Sequence, residues 1–267
     1  MGTQIVKEQI IEEQLMEEID EYWTNRAEGY SKVNKEELAT RQKEKWLKVI
    51  QEKIHGHFPD RVAEELKVLD IGTGPGFFAI IMANAGYQVT AVDYTQAMLE
   101  EAKENAGDLA DKITFLQMDG QQLEFEEESF DVIISRNLTW VLKAPDQAYS
   151  SWRKVLKTGG LMLNFDANWY NYLYDDEKKA AYEQDRAKVE EIGVEDHYTC
   201  TDIDAMEEIA KKVPLSKALR PAWDMKVLKK LNMQKVDVDT NVWNRVWSPV
   251  EKVNYASTPM FMVAAQK

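Results

Sequence analysis

Cysteine is nearly missing from this chain: Cys200 stands alone among 267 residues. A single thiol excludes an intrachain disulfide framework and fits a reducing compartment. Histidine is scarce too, with only His55, His57 and His197. Positive charge is in deficit, 33 Lys and Arg against 47 Asp and Glu, for a formal net charge of −14. That deficit argues against a nucleic-acid partner, because phosphate binding relies on Lys and Arg displacing counterions. Long apolar runs are also missing. The uncharged stretch 71–92 contains four glycines, a proline, Asn84 and Gln88. It breaks into turn and helix patterns and reads as buried core, with no membrane association. The acidic first twenty residues hold no apolar stretch of the kind a signal peptide needs, so a cytoplasmic protein is expected. What is present, 44% hydrophobic residues, excludes wholesale disorder. The length suits one large α/β domain or two small ones.

The chain starts with helical periodicity. Ile5, Val6, Ile10, Ile11, Leu15, Ile19, Tyr22 and Trp23 alternate with acids. A second helix is expected over about 35–54, with Gly56 as its C-cap. Between them, residues 22–30 read as an aromatic loop. Together, residues 1–60 form an N-terminal helical cap. From residue 66 strands and helices alternate. Strands are expected at 66–71, 88–93, 113–117, 131–135 and 161–165, and helices at 77–85, 96–105 and 147–156. Such alternation predicts βαβ units and a parallel sheet covered on both faces. Residues 61–167 make this core. The rhythm stops at 168–221, which reads as an aromatic loop, a charged helix at 177–192 closed by Gly193, and a short helix after Thr201. It resumes with a helix at 223–231 and strands at 235–242 and 259–265, so 222–267 returns to the sheet. Segment 168–221 is then an insertion at the sheet's C-terminal edge, where open α/β folds bind ligands.

The chemistry concentrates where an apolar strand ends in Asp70 and runs into Gly72-Thr73-Gly74-Pro75-Gly76-Phe77. Glycines let backbone approach a ligand closely and adopt positive φ. The helix that follows presents free N–H groups. Asp93 ends the next strand, and a carboxylate there can accept both hydrogen bonds of a ribose diol. The dinucleotide fingerprint G-x-G-x-x-G/A fails at Phe77.

The pattern G-x-G-x-G after an acid resembles instead the first motif of class I S-adenosylmethionine (SAM) dependent methyltransferases, in their small-molecule branch. Further stretches resemble that family in order. Asp93-Tyr94 matches the acidic position and the residue that packs on adenine. Gln117-Met118-Asp119-Gly120-Gln121-Gln122-Leu123 matches the adenine-edge motif. Residues 129–135 match the fourth strand, and Val155-Leu156-Lys157-Thr158-Gly159-Gly160 matches the turn before the fifth, with Thr158 in place of proline. The resemblance implies a Rossmann-like, doubly wound, seven-stranded sheet with its last strand antiparallel, supplied by a terminal hairpin. It implies SAM as cofactor, with S-adenosylhomocysteine as product. It assigns cofactor contacts to Asp70, Gly72, Gly74, Gly76, Asp93, Tyr94, Met98, Asp119, Gly120, Gln121 and Asn137. Tyr22 and Tyr30 belong to a segment resembling one that folds over SAM, and they also read as packing of the cap.

Residues after the fourth strand face the reacting centre in this family: here Arg136-Asn137-Leu138-Thr139-Trp140. The motif [ND]-P-P-[YF], typical of methylation on bases or glutamine, is absent. A small-molecule methyl acceptor is therefore expected. Arg136 and Asn137 are candidates for the cofactor's methionine end or an acceptor carboxylate; Arg136 reads equally as the partner of a surface acid. Trp169, Tyr170, Tyr172 and Tyr174 can wall an acceptor pocket or pack the insertion. Trp140, Trp169 and Tyr170 are the acceptor candidates. His197 is a candidate general base or a surface histidine. His197 and Cys200 have half a metal site's spacing with nothing to complete it, so no metal is expected. Glu124 to Glu128 read as a solvated loop. Two other readings stay open: a nicotinamide-dependent oxidoreductase, and a SAM-binding protein without catalysis. Oligomeric state is open between monomer and homodimer.

Overall fold

The computed structural model describes residues 2–198 and 201–267, with side chains described from residue 13 onward; Cys200 falls outside. The strands are β1 (Lys67–Ile71), β2 (Gln88–Asp93), β3 (Ile113–Gln117), β4 (Phe130–Arg136), β5 (Leu156–Asp166), β6 (Gln234–Asp239) and β7 (Phe261–Gln266). They form one sheet in the order β3-β2-β1-β4-β5-β7-β6. Neighbours from β3 to β5 run parallel; β7 runs antiparallel to both β5 and β6. Strand order reverses between β1 and β4, and the crevice at their C-terminal ends is the natural ligand position of such a sheet. β1 and β4 are buried along nearly their whole length, and their apolar centres, Val68-Leu69 and Val132-Ile133-Ile134, suit a sheet covered on both faces.

The helices are α1 (Gly2–Ala39), α2 (Gln42–His57), α3 (Phe77–Asn84), α4 (Gln96–Ala106), α5 (Pro145–Val155), α6 (Asp176–Ile192), α7 (Ile203–Lys212), α8 (Ala222–Lys230), α9 (Val242–Val246) and α10 (Pro249–Asn254). One apolar cluster joins α2, α3 and α9 to one sheet face. A second joins α5 and α8 to the other. A third sits above the crevice, where Leu15 and Ile19 of α1 meet Trp140, Tyr170, Tyr172 and, from α7, Met206 and Ile209. Segment 168–221 therefore packs on α1 over the C-terminal sheet edge. Among the described residues no helix is long and apolar enough to cross a membrane.

Three expectations need correction. Residues 22–30 are not a loop: α1 continues through them without a break. Its buried stripe continues through Ala27, Ser31, Asn34 and Glu37. The last three are polar, so hydrophobic periodicity fades there although helical burial does not. Gly29 costs about 1 kcal/mol inside a helix, too little to end one with no proline. Gly56 is not a C-cap either; α2 runs through it to His57, and the Phe58 N–H bonds to Ile54 O at 2.7 Å. The last two strands pair antiparallel but are not a tight hairpin. β6 stops at Asp239, and α9 and α10 occupy the connection. By contrast α6 closes at Gly193 as expected, with φ +71 and its N–H on the Val189 and Glu190 carbonyls.

Candidate functional site

Burial makes the turn after β1 rigid. Asp70 is 2% exposed and accepts hydrogen bonds from Thr73 Oγ1 (2.7 Å) and the Ala79 N–H (3.0 Å). Burial pushes its carboxyl up to about 7. Gly74 has φ +53 and faces the Tyr30 ring, which would lie 3.5 Å from an added Cβ. At Gly72, φ +66, a Cβ would meet Leu138 at 2.8 Å. Gly76 has another role. It packs against Ala102 of α4, 3.0 Å from an added Cβ, behind the cavity wall.

Asp93 ends β2 with both oxygens on backbone. Oδ2 accepts from the Gly74 N–H (2.8 Å) and Oδ1 from the Thr95 N–H (3.0 Å). Burial again dominates and pushes this carboxyl up to about 6. Asp119 Oδ1 accepts from the Gln121 N–H (2.8 Å) and side-chain amide (3.2 Å). Gly120 O accepts from Trp152 Nε1 at 2.6 Å, which fixes the third motif against α5.

Beyond β4 the chain turns sharply at Asn137, φ +56. Its N–H bonds to Phe165 O at 2.8 Å, and its carbonyl accepts from Trp140 Nε1 at 3.0 Å. Asn137 Oδ1 is buried and has no hydrogen-bond partner among the described residues. Arg136 also reaches the cavity, but its guanidinium is committed to Glu37 of α1 by two bonds, 2.7 and 2.9 Å. Glu37 is 7% exposed, so the partner is a buried acid rather than the surface one considered from sequence.

The crevice and the elements above it enclose a cavity of about 250 Å³. Of the residues named from sequence as facing cofactor or acceptor, Gly76, Thr139, Tyr172 and Tyr174 lie outside its wall and the others line it. Tyr22 and Tyr30 enter from α1, Tyr94 and Met98 from the end of β2 and from α4. The far end is aromatic. Trp140 and Tyr170 have ring centroids 4.8 Å apart, and Trp169 meets Tyr255 edge-on at 5.2 Å. Trp169 Nε1 bonds to Asp166 Oδ1 at 3.1 Å. His197 Nδ1 lies 3.1 Å from the Tyr255 hydroxyl, and burial lowers its pKa. Sequence reasoning missed Met16, Tyr198, Met206 and Tyr255, which also line the cavity. Tyr255 follows α10, where no motif marks it. Tyr198 adjoins His197, the nearest thing to a signal. His57 lies elsewhere, with Nε2 2.7 Å from Gly159 O. Among the described residues no three His, Cys, Asp or Glu groups converge as a metal site.

Residues 69–164 match the model of a protein family described as a methyltransferase domain. An 88-residue stretch is 38% identical to the ubiquinone biosynthesis O-methyltransferase of Rickettsia akari, covering 33% of this chain and 34% of that one. A 99-residue stretch is 34% identical to the demethylmenaquinone methyltransferase of Clavibacter sepedonicus, covering 36% and 39%. The chain thus spans under two fifths of the length of either relative. Among solved structures, a phosphoethanolamine N-methyltransferase 2 of Haemonchus contortus, in complex with S-adenosyl-L-methionine, superposes with TM-score 0.53 at 18% identity. It covers 80% of this chain and 51% of that one, a likeness of fold alone.

Proposed function

We propose, from the premise that residues 69–164 are a class I SAM-dependent methyltransferase domain, that the chain methylates a small-molecule acceptor. The carrying observation is the convergence of Gly74, Asp93, Asp119 and Asn137 on one cavity. The residues fit SAM on their own chemistry. Asn137 Oδ1 is a buried acceptor lacking a donor, which an ammonium would supply. Asp93 spends one lone pair per oxygen on backbone, leaving capacity for a ribose diol. The Asp119–Gln121 turn, with Tyr94 and Met98, suits the adenine, while Gly72 and Gly74 let backbone pass close to the methionine part. Tyr22 and Tyr30 close over it from α1.

When bound, the cofactor supplies a methyl group on a sulfonium, already activated for in-line displacement. The protein's share is positioning and exclusion of water. The 168–221 segment and α1 serve as a lid. Trp140, Trp169 and Tyr170 hold the acceptor. His197, kept neutral by burial, accepts a proton where the acceptor nucleophile is a hydroxyl. Arg136 takes no chemical part and anchors α1 through Glu37. The lone cysteine and acidic composition support a cytoplasmic site of action.

Tryptophan-fluorescence titrations with SAM and with NADH separate this reading from a nicotinamide enzyme. SAM is expected to bind and NADH not. Incubation with methyl-labelled SAM and fractionated small metabolites then identifies the acceptor. SAM binding without label transfer to any fraction would favour a binding protein without catalysis.

A further inference from the structure

Among the described side chains, one buried carboxylate oxygen has no partner, and it lies on the helix that covers the proposed cofactor site. Asp20 Oδ1 is shut off from solvent without a hydrogen bond. Its helical neighbours Met16, Ile19 and Trp23, all on α1, line the cavity; Asp20 shares their stripe of the helix and sits just behind that wall. Its charge reaches two residues of that wall. It adds to burial in pushing both Asp93 and Tyr94 up. Carboxylates within electrostatic reach of each other repel, and an acceptor without a donor is costly to bury. A ligand bringing a pair of hydroxyl donors between them relieves both penalties. Asp93 offers one remaining acceptor direction per oxygen, and Asp20 offers an unused one from α1.

Resting on the SAM reading above, we infer that Asp20 is a second ribose-binding carboxylate, contributed by α1, which accepts a hydrogen bond from one hydroxyl of the diol that Asp93 holds. The consequence is mechanistic. α1 then senses the cofactor directly, so SAM binding and closure of the helix over the cavity become one event. Asp20 also makes the ribose pocket doubly acidic, which selects an unmodified ribose and rejects a phosphorylated one.

Calorimetric titration with S-adenosylhomocysteine and its 2′-deoxy and 3′-deoxy analogues tests this without any acceptor. Asp20→Ala is expected to weaken binding of the parent ligand about tenfold. For the analogue that lacks the hydroxyl facing Asp20, wild type and Asp20→Ala are expected to bind alike. Asp20→Asn, which keeps the volume and a neutral acceptor, should fall between them. Circular dichroism of the free variants verifies folding. Unchanged affinity in Asp20→Ala, or equal losses for all three ligands, overturns the inference while leaving the SAM reading intact. Failure of the wild-type protein to bind S-adenosylhomocysteine overturns both.

Discussion

Arg136, the last residue of β4, grips Glu37 of α1 through two parallel bonds, Nη1 to Oε1 and Nη2 to Oε2. The guanidinium also lies over the rings of Phe77, Phe78 and Trp46, with its carbon 4.6, 5.2 and 5.3 Å from their centroids. Such a forked pair combines charge with fixed geometry, and burial makes removal of one partner expensive. Glu37→Ala should therefore cost about 3–5 kcal/mol of stability. Urea unfolding monitored by far-ultraviolet dichroism measures it. A loss below about 1 kcal/mol would mean that the pair behaves as a solvated surface bridge.

Much of this arrangement is legible in sequence because it depends on short-range signals. The apolar run ending at Asp70, the glycines after it, and Asp93 at the end of the next strand all mark themselves. Glu37 does not. It is one of many acids on a helix whose buried stripe turns polar after Ala27, and only the sheet edge beneath reveals which acid faces inward. Tyr255 and Tyr198 are equally silent. They reach the cavity through packing across more than fifty residues of chain, which no local spacing encodes. Gly76 shows the opposite failure. A motif position marked for ligand contact lies outside the cavity wall, where its missing Cβ makes room for Ala102.

Gly74 tests the cradle itself. Its φ of +53 disfavours any side chain, and space toward Tyr30 is ordinary contact rather than clash. Gly74→Val should thus fold, at a cost of about 1–3 kcal/mol from backbone strain. It should lose S-adenosylhomocysteine binding because the branched side chain occupies ligand space. Calorimetry decides: normal affinity in a folded Gly74→Val protein means that the turn does not cradle the ligand.

Asp93 supplies a pH dependence. Its folded value, about 6, lies above the ordinary 3.8 of an aspartate, so the folded free protein holds the proton more tightly than the unfolded chain. The contribution of Asp93 to stability is full below the lower value and is lost as pH rises through the upper one. Ligand binding runs the other way, since ribose hydroxyls need the ionised carboxylate. Affinity for S-adenosylhomocysteine should fall about tenfold between about pH 7.5 and about pH 5. A flat calorimetric profile across that range would remove Asp93 from the ribose site.

Arg220 knots the insertion to the core. Its side chain is wholly buried, bonded to Asp166 Oδ2 (2.6 Å), to both oxygens of Asp224 (2.7 and 2.9 Å) and to Thr139 Oγ1 (2.6 Å). Arg220→Met leaves two buried carboxylates without their cation and should cost at least about 3–5 kcal/mol. Arg220→Lys should not restore stability, because an ammonium cannot reproduce the fork. Recovery of wild-type stability in Arg220→Lys, measured by thermal unfolding, would show that charge alone suffices.

Trp169 and Tyr170 decide where acceptor choice resides. Both stand at the far end of the cavity from Asp93 and Asp119, at the start of the insertion. Trp169 is fixed by its Nε1 bond to Asp166, and Tyr170 by its ring against Trp140. Tyr170 is 9% exposed, and its hydroxyl is held protonated far above the ordinary range by burial, so at neutral pH it offers a neutral surface. Truncation removes wall from the acceptor's end and leaves the turn after β1 untouched. Trp169→Ala and Tyr170→Ala should each cost up to about 3–5 kcal/mol of stability, so the milder Trp169→Phe and Tyr170→Phe accompany them. In all four variants affinity for S-adenosylhomocysteine should stay near wild type. Methyl transfer to the identified acceptor should fall by well over tenfold in the two alanine variants, with the loss mainly in KM if the rings only bind and in kcat if they orient the nucleophile. Full turnover in both alanine variants, or equal loss of cofactor affinity and turnover, would assign these rings to packing of the insertion and place acceptor selection on other walls of the cavity.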